Sequence, residues 1–479
     1  MRQLRTDVCV IGAGSAGMGA FRAAREHAPD AVLVESGPYG TTCARVGCMP
    51  SKLLIAAAEA AHAVKHADAF GIHAGTVSID GRAVMQRVRS ERDRFVGFVV
   101  EAVERWPGER RVHGHARFLD DHTLDVDGHT RIEAARIVIA TGTHPAAPDG
   151  WRDALGDRLI VNDDVFDWTD LPAAVAVVGG GVIGLELAQA LHRLGVRVRL
   201  LARKGRLGPL TDPYLQPLAL ATIGREVPVV ASAGNLRVHR DGDGAVVRYT
   251  AAGAEVEERF DYVLSATGRH PNVHGLDLAN TTLPLDARGI PTHDRHTGRI
   301  GASHVFIAGD VAQGRPLLHE AADEGRIAGD NAGRYPDVRA RPRRTPLTVV
   351  FCDPQIMLAG ASFAELTARG APFAIGAASF EDQGRSRVMR KNAGAIRVYG
   401  DPASGQFLGA EMIGPAAEHI GHLLAWSAQR GDTVQQMLDS PFYHPVVEEG
   451  VRTALRHLNR NLGMGPVPVE RCLDCGPGS

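Results

Sequence analysis

The sequence predicts an α/β protein with two Rossmann-like dinucleotide-binding domains, followed by a C-terminal α+β domain. A buried strand, a glycine-rich turn and a helix occur twice, about 170 residues apart, and the strands are continuous runs of Val, Ile and Leu. Such runs alternating with helices indicate a parallel sheet covered on both faces. After about Thr345 the pattern changes, because strand-like pieces (347–351 and 395–399) mix with helices (416–429 and 446–459).

The first copy has a strand at 7–11, a helix that runs to about residue 28, and a second strand at 31–34. Its turn glycines are Gly12, Gly14 and Gly17. Glycines at this spacing let backbone N–H groups approach a pyrophosphate at the helix N-terminus. Glu35 follows the second strand, 23 positions after Gly12. A carboxylate there accepts hydrogen bonds from a ribose diol, which suits FAD.

The second copy has strands at 175–178 and 196–201 and a helix to about residue 194. Its turn glycines are Gly179, Gly181 and Gly184. The position that matches Glu35 is Ala202, and cationic residues follow it: Arg203, Lys204 and Arg206. Guanidinium groups can hold a ribose 2′-phosphate, so this segment favours NADPH and leaves NADH possible. The alternative is a solvated basic loop.

Three further strand-like segments end in small residues, which allow the backbone to approach a ligand or another segment closely. These segments contribute six candidate cofactor-binding residues: Thr141, Gly142, Gly268, Arg269, Gly309 and Asp310. The stretch 339–344 is basic and contains proline, and we expect it to be a linker.

Composition excludes several classes of protein. The 479 residues are 44% hydrophobic and 23% charged, which is typical of globular domains, and the net charge of −2 gives no sign of a nucleic-acid partner. No apolar run is long enough for a membrane span, and residues 1–7 lack the features of a secretory signal, so we expect a cytoplasmic location. Six cysteines are too few for a disulfide scaffold.

Cys43 and Cys48 lie five positions apart at a glycine-containing helix entry. A pair at this spacing can close a small disulfide ring, and a helix N-terminus favours a thiolate. The alternatives are two buried structural thiols or half of a zinc site. Zinc would need two more ligands at similar spacing, and none lies nearby, so no metal site is predicted.

Together these motifs resemble the pyridine nucleotide–disulfide oxidoreductases, the class that includes dihydrolipoyl dehydrogenase, glutathione reductase and mercuric reductase. The segment Cys-x4-Cys-x-Pro-Ser-Lys, which ends at Lys52, carries most of the resemblance. It implies that Cys43 is the interchange thiol and that Cys48 is the sulfur beside the flavin. It also implies an ion pair between Lys52 and Glu186 near the flavin, and contact of Asp310 with the ribitol. Thr42 joins the residues expected to bind cofactor.

His444 and Glu449 match the family's His-Pro-x-x-x-Glu signature. The resemblance makes His444 the general acid/base and Glu449 its orienting carboxylate, and dithiol–disulfide exchange needs such a base to move protons. In this family the histidine reaches the disulfide of the other subunit, which implies a homodimer. Without the cysteine pair, the alternative interpretation is that His444 is a structural residue at a helix entry before Pro445.

The resemblance divides the chain into four parts. They are an FAD-binding part (1–149), an NAD(P)-binding domain (150–270), a second FAD or central part (271–344) and a dimerisation domain with a tail (345–479). Arg45 departs from the family, which usually has Asn there, and Thr41-Thr42 departs from its glycine pair. A cation at residue 45 could stabilise a thiolate, select an anionic substrate or face solvent.

Three functions stay open on the sequence. The first is a dihydrolipoyl-dehydrogenase-like dithiol or disulfide oxidoreductase, and a glutathione- or thioredoxin-type reductase is a variant of it. The second is an NADPH-dependent mercuric or other metal-ion reductase. The third is a redox-inactive flavoprotein, which the catalytic set disfavours. Cys472 and Cys475 near the C-terminus are either incidental or a second redox pair.

Overall fold

A computed structural model describes residues 1–203 and 205–464 of the chain. Two α/β units with largely parallel sheets are followed by a unit in which helices cover an antiparallel sheet. The predicted fold class is therefore confirmed. Lys204 and the pair Cys472 and Cys475 lie outside the described residues.

The first sheet carries the first glycine turn. Its strands are Arg2–Ile11, Val32–Glu35, Arg111–His113, Ala116–Phe118, Thr123–Val126, Thr130–Ile139 and Val305–Ile307. Val8 and Val10 pack toward the helix side, whereas Cys9 and Ile11 pack into a second cluster on the opposite face. Both faces are buried, which explains why the strand is a continuous apolar run rather than an alternating one.

Two helices of the first unit, Ser15–Arg25 and Leu318–Arg334, cross at close range. A Cβ atom added at Gly325 or Gly329 would lie 2.0–2.1 Å from a backbone oxygen of the facing helix. Only glycine permits this approach. The contact brings the helix after Asp310 against the helix that follows the first glycine turn.

The second sheet is parallel and carries the second glycine turn. Its strands are Leu159–Val161, Ala174–Val178, Arg197–Leu201, Val229–Val230 and Tyr262–Ser265. An antiparallel three-stranded sheet packs beside it, formed by Gly234–Asp241, Gly244–Ala251 and Ala254–Phe260. A two-stranded ribbon, Thr143–Pro145 with Arg269–Pro271, joins the entry and the exit of this unit.

The third unit has a five-stranded antiparallel sheet. Its strands are Leu347–Val350, Gln355–Gly360, Ala374–Ser379, Ala395–Gly400 and Phe407–Gly414. The helices Ala417–Arg430 and Glu449–Leu462 pack on it through a buried apolar cluster. The last helix thus begins at Glu449, three residues later than predicted, so His444 lies in the segment before the helix.

The remaining helices complete the chain. They are Thr42–Val46, Cys48–Lys65, Gly81–Glu104, Trp151–Leu155, Asn162–Val165, Val182–Arg193, Leu215–Ile223, Phe363–Arg369, Gly384–Val388 and Val434–Leu438. Among the described residues, no helix has both the length and the apolar character needed to span a bilayer.

The predicted linker 339–344 has no regular secondary structure, yet it is fixed by ion pairs. Arg343 pairs with Glu320 and Glu324, and Arg344 pairs with Asp323. Glu324 also accepts a hydrogen bond from the N–H of Gly309 at 2.9 Å. The segment connects the helix Leu318–Arg334 to the third unit, as the linker prediction expects, and these ion pairs anchor it to the helix beside a predicted cofactor loop.

Candidate active site and cofactor clefts

A cleft of about 390 Å³ opens at the carboxyl ends of the first sheet. Six predicted cofactor-binding residues line it: Gly12, Gly14, Glu35, Thr42, Thr141 and Gly142. In an open α/β sheet, ligands bind outside the carboxyl ends of the strands. The cleft therefore lies where the sequence motifs place the first nucleotide.

The three glycines of the first turn have different roles. Gly12 has φ +105°, and a Cβ there would lie 2.3 Å from the oxygen of Ala140. A Cβ at Gly17 would lie 1.7 Å from the oxygen of Gly12, so this glycine closes the helix onto the turn. A Cβ at Gly14 meets nothing within 4 Å. Gly14 is thus left bare on the open side of the turn, where a diphosphate can approach the backbone.

Glu35 is held by the glycine loop. Its two carboxylate oxygens accept hydrogen bonds from the N–H groups of Ala13 (2.6 Å) and Gly37 (2.8 Å). This contact fixes the carboxylate at the end of its strand with free lone pairs, which is the arrangement a ribose diol needs. The residues present suit the adenosine half of FAD.

Asp310 lies in a polar network at the end of the strand Val305–Ile307. Thr143 donates a hydrogen bond to its Oδ2 at 3.4 Å, and the Arg269 guanidinium donates to Oγ1 (2.8 Å) and to the carbonyl oxygen (2.9 Å) of Thr143. Burial raises the pKa of Asp310, and the charge of Arg269 opposes that shift. Arg269 is therefore bound to Thr143, in its partner strand of the two-stranded ribbon, close enough for its charge to act on Asp310.

The second glycine turn repeats the first. Gly179 has φ +122° and a Cβ there would lie 2.2 Å from the oxygen of Ala266, while a Cβ at Gly181 meets nothing within 4 Å. Gly184 again closes the helix onto the turn, since its Cβ would lie 1.9 Å from the oxygen of Gly179. The two turns are thus built alike.

Backbone hydrogen bonds align the two turns residue by residue. The N–H of Gly12 donates to the oxygen of Val34, and the N–H of Gly179 donates to the oxygen of Leu201. The next residue is Glu35 in the first unit and Ala202 in the second. The alignment by counting therefore holds in the structure, and the carboxylate is absent from the second site.

The cysteine pair lies where the short helix Thr42–Val46 meets the helix Cys48–Lys65. The Cys43 thiol donates a hydrogen bond to the sulfur of Cys48. This bond lowers the pKa of Cys48 to about 6, with burial opposing the shift and the charge of Lys52 adding to it. The same bond and burial raise the pKa of Cys43 well above the usual range. These opposite shifts favour a thiolate on Cys48 and a thiol on Cys43.

We expect the reduced, flavin-free chain to show one thiolate that titrates near pH 6, because Cys43 donates its hydrogen bond to Cys48. Thiolate ultraviolet absorbance between pH 4 and 9 measures it, in a background with Cys472→Ala and Cys475→Ala to remove the tail thiols. Burial raises the pKa of Cys9 to about 12 and also that of Cys352, so neither titrates in this window.

Two variants test the assignment of that thiolate. Cys48→Ser should abolish the titration, whereas Cys43→Ala should move its midpoint upward because the hydrogen-bond donor is lost. A midpoint near 6 that survives in Cys48→Ser would contradict the assignment of the thiolate to Cys48.

Lys52 and Glu186 form the predicted ion pair, with Nζ 2.8 Å from Oε2. The other oxygen of Glu186 accepts the N–H of Phe351 at 2.9 Å, and Lys52 Nζ lies 4.6 Å from the Phe351 ring centroid. Glu186 is buried, and each of its oxygens has a partner. The pair therefore fixes the Lys52 cation one helical turn from Cys48.

His444 and Glu449 are also paired. His444 Nδ1 lies 3.0 and 3.1 Å from the two carboxylate oxygens of Glu449. An ionised carboxylate only accepts hydrogen bonds, so Nδ1 carries the proton and Nε2 is left as the base. Glu449 is 1% exposed and is also contacted by Arg452, whereas His444 is 54% exposed. Within the described chain, no hydrogen bond joins His444 to Cys43 or Cys48.

The structure adds Gln383, which the sequence did not single out. Its Nε2 donates to the oxygen of Val446 at 2.8 Å, and its Oε1 accepts from the N–H and the hydroxyl of Ser386. The N–H of Val446 in turn donates to Glu449 at 3.2 Å. The segment that carries His444 is thus held from both sides, and no sequence motif marks Gln383 for this role.

Comparison with family models matches two descriptions. Residues 6–325 match the pyridine nucleotide-disulphide oxidoreductase model, and residues 347–455 match the dimerisation domain of that family. The chain belongs to the pyridine nucleotide-disulphide oxidoreductase family. It is a flavin-dependent enzyme of a family that uses FAD with a pyridine nucleotide.

Several curated relatives align over nearly the whole chain. A dihydrolipoyl dehydrogenase from Haloferax volcanii is 31% identical over 94% of this chain and 95% of its own length. A mercuric reductase from Streptomyces lividans is 32% identical over 92% and 93%. The HOCl-induced flavoprotein disulfide reductase RclA from Escherichia coli matches in structure with a TM-score of 0.76 at 21% identity, covering 96% of this chain and 100% of RclA. This last likeness shows the fold.

Proposed function

We propose that this enzyme moves electrons between NADPH, FAD, the Cys43–Cys48 pair and a dithiol or disulfide substrate, as a dihydrolipoyl-dehydrogenase-like oxidoreductase. The observation that carries the proposal is the cysteine pair, in which a Cys48 thiolate is stabilised beside the Lys52–Glu186 ion pair. Relatives named dihydrolipoyl dehydrogenase support it. We also propose that the chain divides into the four parts that the sequence predicts, with boundaries after residues 149, 270 and 344.

In the direction of disulfide reduction, the Cys43 sulfur attacks a substrate disulfide once its proton has passed to His444. One substrate thiol leaves with a proton from His444, and a mixed disulfide with Cys43 remains. The Cys48 thiolate then attacks the Cys43 sulfur, so that the Cys43–Cys48 disulfide forms and the second substrate sulfur leaves as a thiolate, which takes its proton from solvent. Bound FAD would supply the two-electron link from the nucleotide to this disulfide. The reverse sequence oxidises a dithiol.

We propose that the active form is a homodimer, with His444 serving the cysteine pair of the partner subunit. The support is the match to the dimerisation domain and the absence, in the described residues, of a hydrogen bond from His444 to its own cysteines. The exposed imidazole base is then free to meet a substrate bound at another subunit. A heterodimer of Cys43→Ser and His444→Ala chains tests this, since half of the sites should regain activity.

The substrate is tested by rapid mixing of the enzyme with NADPH and three acceptors: lipoamide, glutathione disulfide and Hg(II). We expect lipoamide to reoxidise the reduced enzyme fastest. Fast turnover with Hg(II) alone would favour the metal-ion reductase instead, a function that relatives named mercuric reductase also carry. Failure of all three acceptors would contradict the proposed function.

We propose that the second site prefers NADPH. Ala202 replaces the carboxylate, and Arg203 and Arg206 are exposed, with no side-chain hydrogen bond or ion pair in the described part of the chain. The backbone of Arg206 lies over the glycine turn, since a Cβ at Gly180 would be 2.9 Å from its oxygen. Two cations without partners thus border the place where a ribose 2′-phosphate would lie.

Replacing Arg203 by Glu should shift the ratio of kcat/KM values toward NADH. One charge-assisted contact is worth roughly 1.5–3 kcal/mol, so we expect a change of about 10- to 100-fold in that ratio. Arg225→Glu is the matched control, because it makes the same charge change at an exposed site in the same unit. A wild type that already prefers NADH tenfold would contradict the NADPH assignment.

A further inference from the structure

Arg45 lies between the two cysteines in sequence, but its side chain lines the first nucleotide cleft. It shares that cleft with Gly14, Thr41 and Thr42. Its stem is packed against the cleft wall, because a Cβ at Gly40 would lie 3.0 Å from both Cγ and Cδ of Arg45. Gly40 has φ +128°, which favours glycine, so the backbone leaves room for the stem. The guanidinium is thus directed along the cleft.

No carboxylate of the described residues forms an ion pair with the Arg45 guanidinium. In residues 1–203 and 205–464, the hydrogen bonds and ion pairs include none from its side chain. Its charge acts on Asp163, yet the two form no ion pair, and Asp163 also experiences the charge of Arg269. Glu35, the carboxylate that lines the cleft, already binds two backbone N–H groups. A half-buried cation without a partner marks a place for an anion.

Three anions could occupy that place: the thiolate of Cys48, an anionic substrate, or a phosphate of the bound dinucleotide. The thiolate is disfavoured because its leading stabilising contacts are Cys43 and Lys52. The phosphate is favoured because the cleft is that of a glycine turn, and Gly14 on its open side is bare. Guanidinium groups bind phosphate oxygens in bidentate geometry, which the Asn usual at this position does not provide.

We propose that Arg45 binds the diphosphate of FAD and is a further cofactor-binding residue of this chain. The inference rests on the proposed assignment of the first cleft to FAD. It adds a cation to a diphosphate site that is otherwise formed by backbone N–H groups and the hydroxyls of Thr41 and Thr42. Arg45 then contributes to cofactor retention and not to the choice of disulfide.

The test measures FAD affinity and not turnover. Equilibrium dialysis of the full-length chain gives the Kd for FAD in the wild type, Arg45→Met and Arg45→Lys. We expect Arg45→Met to weaken binding by roughly 10- to 100-fold, as for one lost charge-assisted contact, and Arg45→Lys to restore part of it. Arg131→Met, an exposed arginine on the first sheet, should leave the Kd unchanged.

Competition identifies the part of the cofactor involved. ADP should displace FAD from the wild type much better than adenosine does, and Arg45→Met should lose most of that difference. An FAD affinity in Arg45→Met within twofold of Arg131→Met would overturn the inference. If Arg45→Met does not fold, Arg45→Gln is measured instead, against the same control.

The outcome is separable from the proposed function. An enzyme that loses FAD in Arg45→Met but reduces no disulfide would contradict the proposed function and leave this inference standing. If Arg45→Met instead keeps normal FAD affinity but has a higher KM for an anionic disulfide, this inference is overturned and the proposed function stands, because Arg45 then binds the substrate.

Discussion

Replacing His444 by Ala is expected to slow the disulfide half-reaction by about 10²–10⁴-fold, the usual contribution of a general acid/base. Nδ1 of His444 is hydrogen-bonded to Glu449, so the imidazole presents Nε2 as its base. Reduction of the flavin by NADPH needs no proton from this residue and should stay within about twofold of the wild type. Rapid mixing of the enzyme separately with nucleotide and with disulfide measures the two half-reactions.

Two further variants separate catalysis by His444 from a structural effect. His422→Ala removes an exposed histidine of the same unit and should change neither half-reaction. Gln383→Leu leaves the imidazole in place but removes the hydrogen bond to Val446, so we expect a smaller loss, again confined to the disulfide step. Equal slowing of both half-reactions in His444→Ala would mean that the residue acts through the fold.

Much of the fold was predictable because its information is local. Each glycine turn follows a strand whose two faces are both buried, and a continuous run of apolar residues in the sequence indicates such a strand. Counting from Gly179 to Ala202 succeeded because the two turns share the same backbone hydrogen bonds. The ion pair of Lys52 with Glu186, 134 residues apart, came from the family resemblance and not from any local pattern.

Other features depend on contacts between distant segments and could not be predicted. Gln383 reaches Val446 across 63 residues. The stretch 339–344 has the composition of a linker, but its arginines meet acidic residues on the helix Leu318–Arg334. The sequence allows three roles for Arg45, because only the packing of its side chain against Gly40 shows which cleft it lines.

A buried polar network between the second and third units is the strongest such case. Glu411 is fully buried and accepts hydrogen bonds from the N–H groups of Thr211 (2.6 Å), Asp212 (3.0 Å) and Phe363 (2.8 Å). Asp212, also fully buried, accepts from Tyr399 and Arg397. Two carboxylates thus join a loop of the second unit to the antiparallel sheet, and both accept hydrogen bonds from donors far away in sequence.

We expect Glu411→Ala to destabilise the enzyme by about 3–5 kcal/mol, because it removes a buried carboxylate and leaves three N–H groups, one of them buried, without their acceptor. For a chain of this size the apparent melting temperature should fall by roughly 3–5 °C. Glu257→Ala is the matched control: its ion pair with Arg248 is exposed to solvent, so its melting temperature should hardly change.

Differential scanning calorimetry of the two variants and the wild type measures these melting temperatures. Thr211 and Asp212 belong to the second unit, so loss of Glu411 should also uncouple the unfolding of the second unit from that of the third and split one transition into two. Kinetics well below the melting temperature should stay close to wild type, because Glu411 forms no hydrogen bond with Cys43 or Cys48 and does not line the first cleft. A single transition within 2 °C of the wild type would show that the network does not hold the two units together.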